Sequence, residues 1–405
     1  MKLGVATCVL PLESRGTRSF LRSRITAAVM MMGMALLLSG HAAAQYGRVG
    51  AVYTATNETA GNSVLIFNRS ADGALTSAGS ISTRGQGVGV VLQSQGSVML
   101  SPDGRWLLVV NAGSNDVTVF SVSNSGLEFR SRTPSGGMTP VSITILGDVV
   151  YVVNQGSFFL PVAPSNPLAP NVVGFRLGWQ GTLTQISGSI RTLSAGVAPA
   201  EVAFTPEGRL LVVTDIIANL IFTLEVHNDV AGDPVSHTSV GPNPYGFAFD
   251  GRNHLLVSEG NLFGSPSSVS SYDVTAGGAL DVVTASATTN QVAACWVVVT
   301  GNGRFAYVTD TGSSVVTGFA VGRDGRLSIL NRTGVSGSVL GDNAPGSGPA
   351  VLDIGLTNNS QFLYSLAAFS SDSITGWRTD QGNGSLTLVE SVGGLPPSSA
   401  GIAVR

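Results

Sequence analysis

The sequence has 405 residues, of which 11% are charged and 43% hydrophobic, and its net charge is −3. Such an apolar chain is not intrinsically disordered, and its 52 glycines are too frequent for a helical protein. The small negative charge gives no electrostatic reason to expect nucleic acid or an anionic membrane surface as a partner. Length alone would allow two or three domains, but internal repeats override that estimate.

The first 44 residues have the features of a signal peptide. A group of arginines precedes an apolar stretch, Ile25 to Leu38, and Ala42-Ala43-Ala44 supplies the small residues of a cleavage site. This stretch of about 14 residues is shorter than the roughly 20 that a stable membrane span needs. We therefore predict export to the periplasm or the extracellular space, with a mature chain of residues 45–405. Because Cys8 would leave with the signal peptide, Cys295 has no partner for an intrachain disulfide.

A repeated unit follows, and it is clearest in residues 95–129, QGSVMLSPDGRWLLVVNAGSNDVTVFSVSNSGLEF. An apolar strand ends in the turn Ser101-Pro102-Asp103-Gly104, a second strand stops at Asn111, and two further strands follow. Pro-Asp-Gly between β-branched runs predicts a tight turn, because proline fixes φ and glycine accepts a positive φ. The unit recurs at spacings of about 43 to 56 residues, which is the range of four-stranded propeller blades.

The two ends of the mature chain predict how the ring closes. The first unit has only three strands, and the final residues, Pro396 to Arg405, form an orphan strand. Pairing the two ends completes a blade and removes exposed strand edges. We therefore predict an all-β fold for residues 45–405. It is a seven-bladed β-propeller of four-stranded antiparallel blades, whose first blade is closed by the C-terminal strand.

The units, with the pattern "P…SPDGR.L.V.N.GSN.V..F.V…G.L", resemble those of the lactonase-like seven-bladed propellers. That group includes bacterial 6-phosphogluconolactonases and fungal muconate-lactonizing enzymes, and the YVTN-type surface propellers are nearby. The likeness covers the whole mature chain and implies the propeller fold, with hydrolysis of a small lactone as the activity. Since the shared residues are mostly turn and packing residues, the pattern is specific for the architecture rather than for the chemistry.

Polar residues close the second strand in six of the seven predicted blades. Because first strands begin and second strands end at the same face, we expect these residues to ring one mouth of the central channel. Amides and carboxylates there would suit sugar hydroxyls, a Ca²⁺ ion or the activation of water. Equally, Asn and Asp end strands because their side chains bind the turn backbone. The six residues are Asn57, Asn111, Asn154, Asp215, Glu259 and Asp310.

Two more acids, Glu201 and Asp353, lie near the openings of first strands, where alternation would turn them into the channel. A buried Cys295 beside Trp296 is also expected as a small hydrophobic residue. No cofactor and no metal site are predicted. The candidate catalytic residues are Asp215, Glu259, Asp310, Glu201 and Asp353, and the candidate ligand-binding residues are Asn57, Asn111, Asn154, Tyr245 and Cys295.

One feature of the resembling enzymes is missing. They commonly carry a Pro-His pair where a first strand opens, and they act with His, Arg and carboxylate groups at the mouth. None of the matching positions holds histidine: Gln95-Gly96, Pro140-Val141, Pro199-Ala200, Pro244-Tyr245, Ala294-Cys295 and Pro397-Ser398. Two hypotheses stay open. One is an exported lactonase-like hydrolase that uses carboxylates on a small lactone or sugar-acid ligand. The other is a non-catalytic propeller that binds a small polar ligand or a protein partner at the mouth.

Overall fold

The computed structural model describes residues 49–156, 169–194, 198–261, 266–339, 350–368 and 372–405. The predicted signal peptide lies outside these residues. Within them, all 31 regular elements are strands, and no helix is long and apolar enough to cross a membrane. In chain order the strands are β1 Gly50–Ala55, β2 Ser63–Arg69, β3 Leu75–Ser82, β4 Val98–Leu100, β5 Trp106–Asn111, β6 Asp116–Ser123, β7 Gly126–Pro134, β8 Pro140–Leu146, β9 Val149–Asn154, β10 Asn171–Leu177, β11 Leu183–Gln185, β12 Arg191–Thr192, β13 Pro199–Phe204, β14 Leu210–Asp215, β15 Leu220–His227, β16 Val230–Ala231, β17 Val235–Thr238, β18 Pro244–Phe249, β19 His254–Glu259, β20 Ser268–Val274, β21 Leu280–Thr288, β22 Ala294–Val299, β23 Phe305–Asp310, β24 Val315–Val321, β25 Leu327–Ile329, β26 Gly337–Ser338, β27 Ala350–Leu356, β28 Phe362–Ala368, β29 Ser373–Thr379, β30 Leu386–Gly393 and β31 Ala400–Val404.

The described strands form seven antiparallel sheets, which are the blades of a propeller. Blade 1 combines β1–β3 with β31, blade 2 is β4–β7, blade 3 β8–β12, blade 4 β13–β17, blade 5 β18–β21, blade 6 β22–β26 and blade 7 β27–β30. Three blades divide the fourth position between two short strands, β11 and β12, β16 and β17, and β25 and β26. The predicted fold class is confirmed.

The last strand closes the ring as the sequence predicted. Val404 is opposite Val52 and Ala403 is opposite Tyr53 in an antiparallel pair. The inner edge of blade 1 is therefore supplied by residues about 350 positions further along the chain than its other strands. Such pairing covers the edge of β1, and β31 becomes the innermost strand of blade 1.

Turn chemistry fixes the blades locally. In blade 2 the Ser101 hydroxyl donates to Asp103 Oδ1 (2.6 Å), and the Trp106 N–H donates back to Ser101 Oγ (3.0 Å). Gly104 takes a φ of +67°, which glycine adopts without steric cost. Thr300 with Asn302 and Thr357 with Asn359 repeat the hydroxyl-to-side-chain bond in blades 6 and 7.

Hydrophobic clusters fill the spaces between neighbouring blades. Between blades 1 and 2, Tyr53 and Val64 pack with Leu107, Val109 and Phe120, and all five are fully buried. Full burial of a Val, Leu or Phe side chain contributes roughly 1.5–3 kcal/mol. Second-strand tyrosines also join consecutive blades through their hydroxyl groups, which donate to a backbone carbonyl of the next blade: Tyr151 to Asp229, Tyr307 to Gly384 and Tyr364 to Gly73.

Candidate functional site

A cavity of about 310 Å³ lies along the inner strands, lined by residues of blades 1, 2, 4, 6 and 7. At one end it reaches two acids, Glu201 of β13 and Asp353 of β27. At the other end it reaches Pro102 and Asn358, exposed residues of the turns between first and second strands. Its volume is at the low end of the range for ligand pockets, about 300–1,000 Å³.

Both acids stand where a first strand departs from regular pairing. The register between β13 and β14 shifts between Pro199 and Glu201, and that between β27 and β28 shifts between Val351 and Ile354. A bulge of this kind changes the direction of a side chain, and the first strands of blades 3, 5 and 6 carry the same shift. The two acids line one cavity, and they are only 6% and 3% exposed.

The Asp353 carboxylate makes one close hydrogen bond, and the backbone N–H groups of Ile402 and Gly96 lie near it. Its Oδ1 accepts the Ile354 N–H at 2.9 Å, whereas its Oδ2 is buried without a hydrogen-bond partner among the described residues. Burial raises the pKa of Asp353 to about 7, although the backbone N–H groups of Ile354, Ile402 and Gly96 act in the opposite direction. A carboxyl group with this pKa exists in both protonation states near neutral pH.

Glu201 is the more strongly perturbed acid of the pair. Its Oε2 accepts the Phe247 N–H at 2.6 Å. Burial is the largest influence on its pKa, and with the nearby negative charge of Asp353 it raises that pKa well above the ordinary value. The environment therefore favours a neutral, proton-carrying Glu201 beside an Asp353 that can ionise.

The end of the channel where the first strands begin is crossed by residues 93–96, which we call the strap. Gln95 Nε2 donates to the Val297 carbonyl (2.8 Å), and Gln95 Oε1 accepts the Val297 N–H (2.9 Å). The indole N–H of Trp296 donates to the Ser94 carbonyl at 2.7 Å. The strap also bonds to blades 3, 4 and 5 through Val141, Ile143, Ala200 and Tyr245. The mouth at which we expected the ligand is therefore covered by the chain itself.

Two of the acids that close second strands lie inside their own blades, away from the cavity. Asp215 Oδ1 accepts the N–H groups of Ile217 and Ala218, and burial raises the Asp215 pKa to about 6. Asp310 Oδ2 accepts the Thr317 hydroxyl at 2.6 Å, and burial raises the Asp310 pKa to about 7. Neither lines the cavity that contains Glu201 and Asp353.

The other strand-closing residues serve the turns and neighbouring loops. Glu259 accepts the Gly241 N–H at 2.9 Å and the hydroxyls of Ser268 and Ser270. Asn111 bonds to Asn62, Thr83, Asp116 and Thr118, Asn154 donates to Ser135 and Asn171, and Asn57 bonds to Val88 and Val90. Asp215 therefore binds the backbone of its own turn, whereas Glu259 and Asn111 bond mainly to side chains of adjacent strands and of a neighbouring blade.

Tyr245 and Cys295 pack beneath the strap. The Tyr245 hydroxyl donates to Gln93 Oε1, and its ring lies 5.3 Å from that of Trp296. Cys295 is 4% exposed, and burial raises its pKa to about 12, so the thiol stays protonated and unreactive at neutral pH. Both side chains belong to a hydrophobic cluster that also contains Val91.

No histidine of the described residues lines the cavity. His227, His237 and His254 pair instead with Glu225, Thr223 and Asp250. Within the same part of the chain, no group of three His, Cys, Asp or Glu side chains could hold a metal ion.

The strap is the functional feature that sequence reasoning missed. Its one signal was a polar residue, Gln95, at a position where the resembling enzymes open a first strand.

Comparison with known proteins agrees with the observed architecture. The family described as Lactonase, 7-bladed beta-propeller matches residues 50–162, which confirms the resemblance drawn from the repeats. No curated protein sequence matches the chain. A provisionally assigned 6-phosphogluconolactonase from Bacteroides fragilis is 16% identical over 88% of this chain and 98% of that chain, with a TM-score of 0.66.

Two other solved structures have the same fold. A protein from Lactobacillus plantarum is 15% identical over 88% of this chain and 99% of that chain, with a TM-score of 0.67. The periplasmic gluconolactonase of Pseudomonas aeruginosa is 21% identical over 71% of this chain and 82% of that chain, with a TM-score of 0.56. At these identities the likeness establishes the fold alone.

Proposed function

We propose that this chain is an exported hydrolase that opens small lactones in the central cavity, with Asp353 as general base and Glu201 as the hydrogen-bond donor that stabilises the oxyanion. The observation that carries the proposal is the convergence of these two buried acids, one with an unpartnered oxygen, on a single cavity. Perturbed acids that converge in a cleft are characteristic of acid–base sites. The matching family and the gluconolactonase fold add support for the reaction class.

The proposed reaction consumes one water. Ionised Asp353 takes a proton from that water as its oxygen bonds to the lactone carbonyl carbon, and the C=O electron pair moves onto oxygen. The Glu201 O–H stabilises this oxyanion by a hydrogen bond. Collapse re-forms the C=O bond and breaks the ring C–O bond, and the proton held by Asp353 passes to the departing alkoxide. The product is a hydroxy acid.

The test is lactone hydrolysis by purified residues 45–405, measured against spontaneous opening. The panel contains glucono-δ-lactone and aliphatic lactones. We expect Asp353→Asn to lower kcat/KM by about 10²–10⁴-fold, the usual contribution of general acid–base catalysis, and Glu201→Gln to lower it as well. Asp215→Asn and Asp310→Asn are matched controls, because they remove buried carboxylates that do not line the cavity. No rate above the baseline, or full activity in Asp353→Asn, would refute the proposal.

Export is the second part of the proposal, and it rests on the sequence of the first 44 residues. Expression of the full chain with fractionation of the cells tests it. We expect the protein in the periplasm or the medium, with a new N-terminus near Gln45. Retention of an uncleaved chain in the cytoplasm would contradict export without affecting the hydrolase proposal.

The alternative function is a non-catalytic propeller that binds a small polar ligand or a protein partner. The absence of histidine from the described cavity lining favours it, because the resembling enzymes act with histidine. Ligand binding by calorimetry without turnover would support this alternative, and lactone hydrolysis that depends on Asp353 would rule it out.

A further inference from the structure

We infer that the substrate is an alkyl-substituted lactone, bound with its ring at the acids and its alkyl chain along the cavity toward Pro102 and Asn358. This inference rests on the proposed function and names its substrate class. It departs from a polyhydroxylated sugar lactone, which the similarity to a gluconolactonase would suggest.

The side chains that line the cavity between the acids and the exposed turns are mostly aliphatic. They belong to the innermost strands of blades 1, 2, 6 and 7, and they also pack in the hydrophobic clusters between the blades. The principal wall residues are Met99, Leu100, Val298, Ile354, Leu356 and Ile402. Contact between such walls and an alkyl chain removes apolar surface from water on both sides, which is the main source of favourable binding energy for apolar ligands.

The polar side chains along this cavity are already committed to protein partners. Both amide atoms of Gln95 bind the Val297 backbone, and Ser101 Oγ bonds to Asp103 and Trp106. The remaining polar side chains, Asn358 and Arg405, belong to the outer end. A sugar lactone has several ring hydroxyls, and along the inner part of this cavity they would meet few uncommitted polar side chains besides the two acids.

The strap determines which way the ligand faces. Because residues 93–96 cover the channel where first strands begin, the cavity is approached from the turn face, past Pro102 and Asn358. The polar lactone group then meets the acids at the inner end. A substituent on the ring extends back along the aliphatic walls.

The experiment compares δ-lactones that carry alkyl chains of increasing length with glucono-δ-lactone, using purified residues 45–405. We expect kcat/KM to rise by up to about fourfold per added methylene until the chain reaches the turns, since each buried methylene contributes about 0.8 kcal/mol. Glucono-δ-lactone is expected to be the poorest substrate. Val298→Thr should reduce the gain per methylene, whereas Val282→Thr, at a residue that is 51% exposed, should leave it unchanged.

The outcomes separate this inference from the proposed function. Faster hydrolysis of glucono-δ-lactone than of any alkyl lactone, with loss of activity in Asp353→Asn, would overturn the inference and keep the proposed function. If no lactone is hydrolysed, the proposed function fails, and calorimetric binding of the corresponding alkyl δ-lactams decides the inference. Affinity that increases with chain length supports an alkyl ligand, and affinity that does not change with chain length overturns it.

Discussion

Gln95 and Val297 are 202 residues apart in the sequence, and the Gln95 side chain binds both backbone groups of Val297. The primary amide acts here as a strand partner, because it donates to the carbonyl and accepts from the N–H of the same residue. This pair ties blade 2 to blade 6 across the end of the channel. The channel is therefore closed at the end where the first strands begin, and the cavity opens only at the turn face.

Gln95→Ala is expected to destabilise the fold. The substitution leaves the Val297 N–H and C=O without partners, and each unsatisfied buried group costs about 1–3 kcal/mol. We expect a loss on the order of 3 kcal/mol in the free energy of unfolding, measured by urea denaturation. Gln180→Ala, at an exposed residue, is the matched control and should change the unfolding midpoint little. A Gln95→Ala midpoint equal to that of the control would show that the two bonds do not hold the strap.

The stability of the protein is expected to fall as the pH rises toward neutrality. Burial raises the pKa of Asp310 from 3.8 to about 7, so the folded protein keeps a proton at pH 5 to 6 that the unfolded chain has released. Each such group contributes a slope of about −1.4 kcal/mol per pH unit between the unfolded and folded pKa values. Asp353 and Asp215, with pKa values of about 7 and about 6, act in the same direction.

Asp310→Asn removes one of these protons and should flatten the dependence. Urea unfolding at pH 5 and pH 7.5 measures it, with the exposed Asp273→Asn as control. We expect the difference between the two pH values to shrink for Asp310→Asn and to stay at the unsubstituted value for Asp273→Asn. An unchanged difference in Asp310→Asn would mean that Asp310 is ionised in the folded protein throughout this range.

The pH dependence of kcat/KM is expected to match the ionisation of Asp353. Because the base must be deprotonated and its pKa is about 7, kcat/KM is expected to rise with pH and to level off above neutrality. Glu201→Gln should lower the rate while keeping this inflection, whereas Asp353→Asn should remove the inflection from the residual rate. Rates corrected for spontaneous opening, collected from pH 5 to pH 9, provide the measurement. An inflection that survives in Asp353→Asn would assign the base to another group.

The sequence predicted the blades because each carries its own local signals. Alternating β-branched runs, glycine turns, a three-stranded first unit and one orphan strand at the C-terminal end were sufficient for the seven-bladed ring and its closure by β31. Strand alternation led to the prediction that Glu201 and Asp353 face the channel, but it did not reveal the bulge at which each of them stands. The strap could not be predicted, since its bonds join Gln95 to residues such as Val297 through backbone groups that leave no sequence signal. The sequence also could not show that Asp310 lies inside its own blade, because its hydrogen bond to Thr317 depends on how the strands pair.

The rate at which the Cys295 thiol is labelled is expected to show whether the strap is in place. The thiol is buried beneath Tyr245 and Trp296, and its pKa of about 12 leaves almost no thiolate at pH 8. In purified residues 45–405 we expect an aromatic disulfide reagent to label it slowly, at a rate that follows unfolding. Gln95→Ala should label faster than the unsubstituted protein at the same urea concentration. Rapid labelling of the unsubstituted protein without urea would contradict the buried position.

Substitution of Gly401 measures how tightly the closing strand β31 packs against blade 2. Gly401 has a φ of +76°, and a Cβ there would overlap Ser97 Oγ and lie 2.8 Å from the Val98 backbone nitrogen. Gly394 has a φ of +90°, but a Cβ there would have nothing within 4 Å. Both alanine substitutions carry the positive-φ cost of roughly 1–2 kcal/mol, so their difference isolates the contact between β31 and blade 2. We expect Gly401→Ala to lower the urea midpoint clearly further than Gly394→Ala. Equal midpoints would mean that β31 can shift by a few tenths of an ångström without weakening the closed ring.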